Sequence, residues 1–62
     1  MTIKCIQTSA ATEDLTLGKE YEVLERDGTW YRIKDDFCLM FDLPEYANGY
    51  LYPPKLFEVV QE

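Results

Sequence analysis

The sequence predicts a small all-β domain, a five-stranded barrel, from three observations. Short segments rich in β-branched and aromatic residues alternate with turn residues along the chain. Asp27-Gly28 separates two such segments, and this pair is a strong short-range signal of a β-hairpin. Pro53-Pro54 ends one strand and is followed at once by the apolar run 56–60, which we expect to close the barrel. Closure removes most of the exposed sheet edge.

The length of 62 residues predicts a single domain that spans residues 1–62. A chain of this size buries only about 60% of its unfolded surface, so its stability is marginal. Aromatic residues make up 15% of the sequence, and each ring removes roughly 150–250 Å² from water. The rings therefore supply the core that a compact domain needs.

The N-terminal third contains one strand and one long loop. Met1 to Gln7 has strand-like composition, whereas Thr8 to Asp14 has no apolar stripe that would dock a helix and is predicted to be a loop. We expect Leu15 and Leu17 to anchor the far end of this loop. Gly18-Lys19 makes the turn into the next strand.

A second strand over Glu20 to Glu25 places Tyr21 and Val23 on one face. Leu24 breaks the alternation and indicates a bulge or a position covered on both sides. Asp27-Gly28 then forms the hairpin turn, since both residues tolerate positive φ.

The second arm of the hairpin is Thr29 to Lys34, with Tyr31 and Ile33 pointing inward and Trp30 outward beside two cations. Asp35-Asp36 is predicted to be a solvated turn. The following segments are a strand over 37–41 with both faces apolar, a connection over 42–49, a strand that ends at Pro53, and the closing strand over 56–60.

Twelve acidic residues against six basic ones give a net charge of −6. This charge argues against direct nucleic-acid binding, which requires lysine and arginine to replace counterions on phosphates. Surplus acid keeps a small protein soluble. Alternatively, the acid faces a basic partner or imitates nucleic acid.

Cys5 and Cys38 lie among apolar neighbours, and histidine is absent. Neither cysteine belongs to a Cys-x-x-Cys motif, so we expect two buried free thiols, no metal site and no cofactor. This cysteine usage predicts a reducing cytoplasm. No apolar run approaches membrane-spanning length, and no signal peptide is expected at the N-terminus.

The sequence offers little for catalysis. Ser9 is the single serine, and no glycine-rich loop would cradle a phosphate. Asp35, Asp36, Asp42 and Glu45 cluster in sequence, but they lack the alternating ligand spacing of a calcium loop. We therefore expect a protein that is not an enzyme.

Three segments resemble SH3 domains in their order along the chain. Residues 15–23 (Leu-Thr-Leu-Gly-Lys-Glu-Tyr-Glu-Val) are similar to the segment where the long first loop of that family rejoins the barrel. Residues 30–33 fall on its tryptophan-bearing strand. Residues 49–57 (Gly-Tyr-Leu-Tyr-Pro-Pro-Lys-Leu-Phe) resemble Gly-Tyr-Ile-Pro with one extra residue before the proline, followed by one 3₁₀ turn and the last strand.

The chain is also similar to short SH3-like proteins of bacteriophages and prophages, which share the frame Leu-Thr-x-Gly-Lys-x-Tyr-Glu-Val and a later Phe-Glu-Val-Val. The resemblance covers about residues 15–60 and implies a small five-stranded SH3-like barrel with a 3₁₀ turn before the last strand. It further implies a protein located in the cytoplasm of a bacterial host cell.

SH3 domains bind proline-rich segments in a groove lined by aromatic residues. Carried over by position, Trp30 matches the groove tryptophan and Pro53 the groove proline. Leu56 stands where the family places a tyrosine, and the tyrosine motif of the first loop has no counterpart among residues 8–11.

Binding of a protein partner is the function that the residue types favour, because exposed aromatics near charge dominate interface energetics. Tyr50 and Tyr52 are either the outward members of a strand with Leu51 in the core, or the reverse. The predicted protein-binding surface consists of Trp30, Asp42, Glu45, Tyr46, Tyr50, Tyr52 and Pro53.

Two other functions stay open at this point. One is an acidic inhibitor that imitates nucleic acid towards a host or defence enzyme. The other is a structural or accessory role in a larger assembly, with the chain a monomer or a weak homodimer through the exposed edge of the last strand. No interaction with a membrane is expected.

Overall fold

Five antiparallel strands and one short helix make up the fold, in a computed structural model that describes all 62 residues. No helix has the length and apolarity that crossing a membrane would require. The elements are β1 (Thr2–Cys5), β2 (Glu20–Asp27), β3 (Trp30–Ile33), α1 (Asp36–Phe41), β4 (Tyr50–Tyr52) and β5 (Phe57–Gln61), with 3₁₀ turns at Ala10–Thr12, Pro44–Tyr46 and Pro54–Leu56.

The strands form one sheet in the order β4-β3-β2-β1-β5. The first half of β2 pairs with β1, with Tyr21 opposite Ile3, and its second half pairs with β3. Between the halves the register shifts at Leu24, which confirms the predicted bulge. This all-β sheet with a 3₁₀ turn before β5 confirms the predicted fold class and is consistent with a small SH3-like barrel.

Phe57, the first residue of β5, lies at the centre of the core. The rings of Tyr21, Tyr31 and Tyr52 meet its ring edge-on, with centroids 6.1 to 6.4 Å away. These tyrosines come from β2, β3 and β4, so the closing strand joins both halves of the sheet around one aromatic cluster. The remaining core residues are Ile3, Cys5, Leu15, Ile33 and Leu56.

The predicted hairpin between β2 and β3 is present, but its turn is Gly28-Thr29, one residue later than the predicted Asp27-Gly28, with Asp27 opposite Trp30. The expected use of positive φ is wrong, because Gly28 does not adopt it. Instead the Asp27 carboxylate accepts hydrogen bonds from the backbone N–H and the hydroxyl of Thr29, at 2.7 and 2.8 Å. The side chain of Asp27 therefore stabilises this turn.

The loop after β1 contains one 3₁₀ turn, Ala10–Thr12, which buries no residue. Leu15 is buried and anchors the loop as predicted, but Leu17 is 63% exposed and anchors nothing. The Tyr21 hydroxyl accepts a hydrogen bond from the backbone N–H of Thr16, which directs the following residue outward.

The predicted strand over 37–41 is wrong, because these residues form α1. Asp35 caps the helix N-terminus, its carboxylate accepting from the Cys38 N–H at 3.0 Å. Asp42 ends the helix in the left-handed conformation, with φ 45° and ψ 43°. Only Cys38 is buried, so the apolar residues on either side of it point away from the core.

The prediction of a solvated turn at Asp35-Asp36 is also wrong. Asp35 is 1% exposed and accepts a hydrogen bond from the Tyr52 hydroxyl at 2.5 Å. Asp36 accepts from Lys19 Nζ at 2.6 Å and from the Tyr21 hydroxyl at 2.9 Å. The two carboxylates thus tie α1 to β4, to β2 and to the loop before β2.

Burial tends to raise the pKa of Asp36, but hydrogen bonds from Lys19, Thr16 and Tyr21 outweigh it and leave this pKa below its ordinary value. A depressed carboxyl pKa stabilises the folded state above the unfolded value of about 4. This contribution is lost as the pH falls through the folded pKa.

At high pH we expect the domain to unfold as Tyr21 and Tyr52 ionise. Burial, with the Asp36 carboxylate, raises the pKa of Tyr21 to about 12, although the N–H of Thr16 acts in the opposite direction. Burial and the hydrogen bond to Asp35 raise the pKa of Tyr52 as well. Both tyrosines ionise near pH 10 once unfolded, so the stability present below about pH 10 falls as the pH rises towards about 12.

Tyrosinate absorbance and circular dichroism, followed together against pH, test this expectation. The last ionisations among the five tyrosines should coincide with the loss of the folded signal. Ionisation of all five with an unchanged dichroism spectrum by pH ~11 would contradict the assigned burial.

Candidate functional site

The most exposed apolar surface of the domain lies on α1 and the segment after it. Leu39 and Phe41 are each 50% exposed, Met40 is 75% exposed and Leu43 is 44% exposed. Contiguous exposed apolar side chains on a small protein typically mark an interaction site. We call these four residues, with the adjacent rings of Phe37 and Tyr46, the helix patch.

Contacts between aromatic rings fix the two parts of the helix patch against each other. Phe37 lies one helical turn before Phe41, and their ring centroids are 4.7 Å apart. The ring of Tyr46, from the 3₁₀ turn Pro44–Tyr46, meets Phe37 edge-on at 5.0 Å. The half-buried Phe37 therefore holds this turn beside α1, and the patch has a defined shape.

Gly49 returns the chain from the helix patch to the sheet. It adopts a φ of +63°, and a Cβ at this position would lie 2.0 Å from the carbonyl oxygen of Ile33. The backbone of the connection is bonded internally, since the N–H groups of Tyr46 and Gly49 donate to the carbonyls of Leu43 and Tyr46. These N–H groups are therefore not available to pair with a strand of a partner.

Four carboxylates without an ion pair lie around the helix patch. Asp42 and Glu45 are close to its C-terminal end. Glu13 and Asp14 lie at its N-terminal end, because the backbone N–H of Asp36 donates a hydrogen bond to the carbonyl of Asp14. Burial and the nearby charges of Asp35, Glu13 and Asp36 raise the pKa of Asp14. Lys34, which acts on Cys38 of α1, is the unpaired cation nearby, so negative charge exceeds positive charge around this apolar surface.

Asp42 occupies a position that disfavours aspartate on two grounds. The left-handed region costs aspartate more than glycine, although less than most other residues, and a negative charge at a helix C-terminus opposes the helix dipole. No hydrogen bond or ion pair of its side chain offsets these costs. A residue that is locally unfavourable points to a role other than stability.

The structure places the predicted binding residues in three locations. Asp42, Glu45 and Tyr46 lie at the helix patch. Trp30 and Pro53 lie at the end of β3 that is away from the helix patch. Because Tyr31 pairs with Tyr52 in antiparallel strands, Trp30 and Pro53 are the next residues outward and lie beside each other. Trp30 is half-buried, with the Arg32 guanidinium 5.7 Å above its ring.

Tyr50 and Tyr52 lie on the inner face of the sheet, opposite Ile33 and Tyr31, while Leu51 points outward and is 49% exposed. Tyr52 is packed in the core. Tyr50 is 48% exposed, and the pKa of its phenol is raised by burial and then by neighbouring Cys38 and Tyr46. Tyr50 therefore borders the helix patch.

The apolar residues Leu39, Met40 and Phe41 were not predicted as site residues. The signal that would have identified them is the helical spacing of Phe37 and Phe41 directly after a capping aspartate. If the segment were a strand, alternate side chains would point to the core, and half of the apolar side chains would be buried.

Two shallow concavities lie elsewhere on the surface. The larger, about 470 Å³, is lined by Leu24, Glu25, Arg32, Ala47 and Asn48, and its arginine is already paired with its glutamate at 3.0 Å. The smaller, about 370 Å³, lies beside the hairpin turn. No group of three or more potential ligands is placed to hold a metal ion.

Comparison with known proteins gives no match: no family model, no curated protein and no solved structure is significantly similar to this chain.

Proposed function

We propose that this chain is a non-catalytic protein-interaction module that binds a protein partner through the helix patch. The observation that supports the proposal is the exposure of Leu39, Met40, Phe41 and Leu43, between 44% and 75%, on one short segment. A phage- or prophage-encoded protein that acts in the cytoplasm of a bacterial host is the setting we propose, in line with the resemblance of its sequence to such proteins.

Burial of the patch supplies the driving force for binding. Apolar surface removed from water contributes about 25 cal/mol per Å², and aromatic anchors surrounded by polar groups are typical centres of protein interfaces. Phe37 and Tyr46 already fix the 3₁₀ turn beside α1, so this turn does not need to be ordered on binding.

Affinity capture from bacterial lysate, followed by mass spectrometry, tests the proposal with matched variants. The double variant Leu39→Ser/Met40→Ser removes exposed apolar surface from the patch and should lose the partner. The control Leu24→Ser/Leu51→Ser removes side chains of similar exposure, 48% and 49%, from the outer face of the sheet and should retain it. Equal capture by both variants would refute the proposal.

Trp30→Ala tests the other end of the domain in the same experiment. If the partner binds a groove beside Trp30 and Pro53, this variant loses it while the helix-patch variant retains it. Circular dichroism of every variant confirms that the fold is intact.

A second candidate function is an inhibitor that imitates nucleic acid. Five of the twelve acidic residues make an ion pair and Asp35 is buried, so six acidic residues are exposed and unpaired. A partner held by these charges should dissociate when the salt is raised to about 1 M, where the screening length falls to about 3 Å. A partner held by the apolar patch should remain bound.

A further inference from the structure

Resting on the proposed function, we propose that the segment docking on the helix patch is a cationic amphipathic helix, with an apolar stripe flanked by lysine or arginine. Three properties of the patch lead to this partner: its internally bonded backbone, its width and its surrounding charge.

The backbone of the patch rules out docking by strand addition. In α1 and the following turn, backbone N–H groups donate to carbonyl oxygens of the same segment. The pairs are Leu39 to Asp35, Asp42 to Cys38 and Tyr46 to Leu43. An extended peptide adds to a sheet edge by both donating and accepting main-chain hydrogen bonds, and these N–H groups are already used. A partner must instead have a backbone that is already satisfied, as in a helix.

The width of the patch fits a single helix. The six residues of α1 extend about 9 Å along its axis, and a helix with its side chains is about 10–12 Å across. Leu39 and Met40 are neighbours about 100° apart around the axis of α1, and two turns of a partner helix laid across α1 would cover both. The flexible thioether of Met40, 75% exposed, adapts to side chains of different shape.

The charge around the patch selects a cationic partner and disfavours a second copy of the chain. Glu13 and Asp14 lie at one end and Asp42 and Glu45 at the other, none of them in an ion pair. In a symmetric dimer through this surface, acidic residues of one copy would face acidic residues of the other, between chains of net charge −6. Lysine or arginine beside an apolar stripe would instead face both ends.

Binding of labelled synthetic helical peptides, measured by fluorescence anisotropy, tests the proposal. Three peptides are compared: a leucine–lysine amphipathic helix, the same apolar stripe with glutamate for lysine, and the leucine–lysine composition scrambled so that no stripe forms. Only the first should bind well, and raising the salt from about 0.1 M to about 1 M should weaken it without abolishing it.

Matched variants of the protein locate the binding. Leu39→Ser/Met40→Ser should weaken binding of the cationic helix about 10-fold or more, and Leu24→Ser/Leu51→Ser less than about 2-fold. Asp42→Asn/Glu45→Gln should weaken it about 3- to 10-fold. The same loss of charge in Glu58→Gln/Glu62→Gln, on β5 and directly after it, should have little effect because β5 is at the opposite edge of the sheet.

Asp42→Gly separates stability from binding in one variant. Glycine relieves the left-handed strain and removes charge from the helix C-terminus, so the Tm should rise by about 4–8 °C for each kcal/mol gained. The same variant should bind the cationic helix more weakly. An increase in both quantities would show that the Asp42 carboxylate has no part in binding.

The outcomes distinguish this inference from the function on which it rests. If the glutamate peptide binds as well as the lysine peptide, or if neither binds, the partner is not a cationic helix. The proposed interaction module would still be supported in that case if Leu39→Ser/Met40→Ser no longer captures the partner from lysate. If the scrambled peptide binds equally, charge alone is responsible and the inference fails. If sedimentation shows a dimer that Leu39→Ser/Met40→Ser dissociates, the patch binds a second copy instead.

Discussion

Gly49→Ala is expected to prevent the domain from folding. The new methyl group would lie 2.0 Å from the Ile33 carbonyl oxygen and 2.5 Å from its carbonyl carbon, far inside contact distance. Ile33 is fully buried in β3 and paired on both sides, so its backbone cannot move away. A φ of +63° adds about 1 kcal/mol for a residue with a Cβ.

The combined cost exceeds what so small a domain can withstand. At about 0.05–0.15 kcal/mol per residue, the whole chain has a free energy of unfolding of only about 3–9 kcal/mol. Circular dichroism should show an unfolded chain for Gly49→Ala under conditions where the wild type is folded.

The other two glycines provide graded controls. Gly18 has a φ of +84° but no atom within 4 Å of the missing Cβ, so Gly18→Ala should cost about 1 kcal/mol for the backbone alone. Gly28 has neither a positive φ nor a close neighbour, and Gly28→Ala should be nearly neutral. Urea unfolding measures all three, and a Gly49→Ala domain as stable as Gly18→Ala would show that the close approach to β3 is wrong.

The strands that follow a period of two were predictable from the sequence. Tyr21 and Val23 in β2, and Tyr31 and Ile33 in β3, alternate with polar residues and contact the core as expected. The hairpin position was predictable to within one residue, although Asp27 holds it by side-chain hydrogen bonds and Gly28 contributes no positive φ. Local pattern was sufficient wherever one face of a strand is buried and the other solvated.

The helix α1 was not predictable in the same way, because a run of five apolar residues is compatible with either period. Its state is decided by distant residues. The hydroxyls of Tyr52 and Tyr21 and the ammonium of Lys19 all bind the two carboxylates at its N-terminus. No local window contains those partners.

The residues of the candidate site were likewise predictable as a group only where they are close in sequence. Residue types identified Asp42, Glu45 and Tyr46 as neighbours, because they are close in sequence. Trp30 was grouped with them only by its chemistry, and the register of β3 with β4 places it at the other end of the sheet. The grouping of residues that are distant in sequence depends on topology.

Asp35→Ala is expected to cost about 2–4 kcal/mol, a large part of the free energy of unfolding. Loss of the helix cap to the Cys38 N–H accounts for about 1 kcal/mol. The Tyr52 hydroxyl would lose its acceptor in a partly buried site, which adds about 1–3 kcal/mol. Asp27→Ala, which removes an exposed carboxylate with two hydrogen bonds, should cost less than half as much.

A double-mutant cycle with Tyr52→Phe separates the two contributions. In the Tyr52→Phe background no hydroxyl is left without an acceptor, so Asp35→Ala should cost only the helix cap. The two substitutions should therefore couple by about 1 kcal/mol or more in urea unfolding. Additive effects would mean that the bond between Asp35 and Tyr52 does not stabilise the domain.

The same variant connects stability to the helix patch. Because Asp35 is the buried residue that joins α1 to β4, its loss should loosen the helix before the rest of the sheet unfolds. Hydrogen exchange should then be faster at Leu39 and Asp42, whose N–H groups bond within α1, than at Cys5 or Tyr21 in the paired strands. Uniform acceleration across all four amides would instead indicate that α1 unfolds only together with the barrel, so that the helix patch is as rigid as the core beneath it.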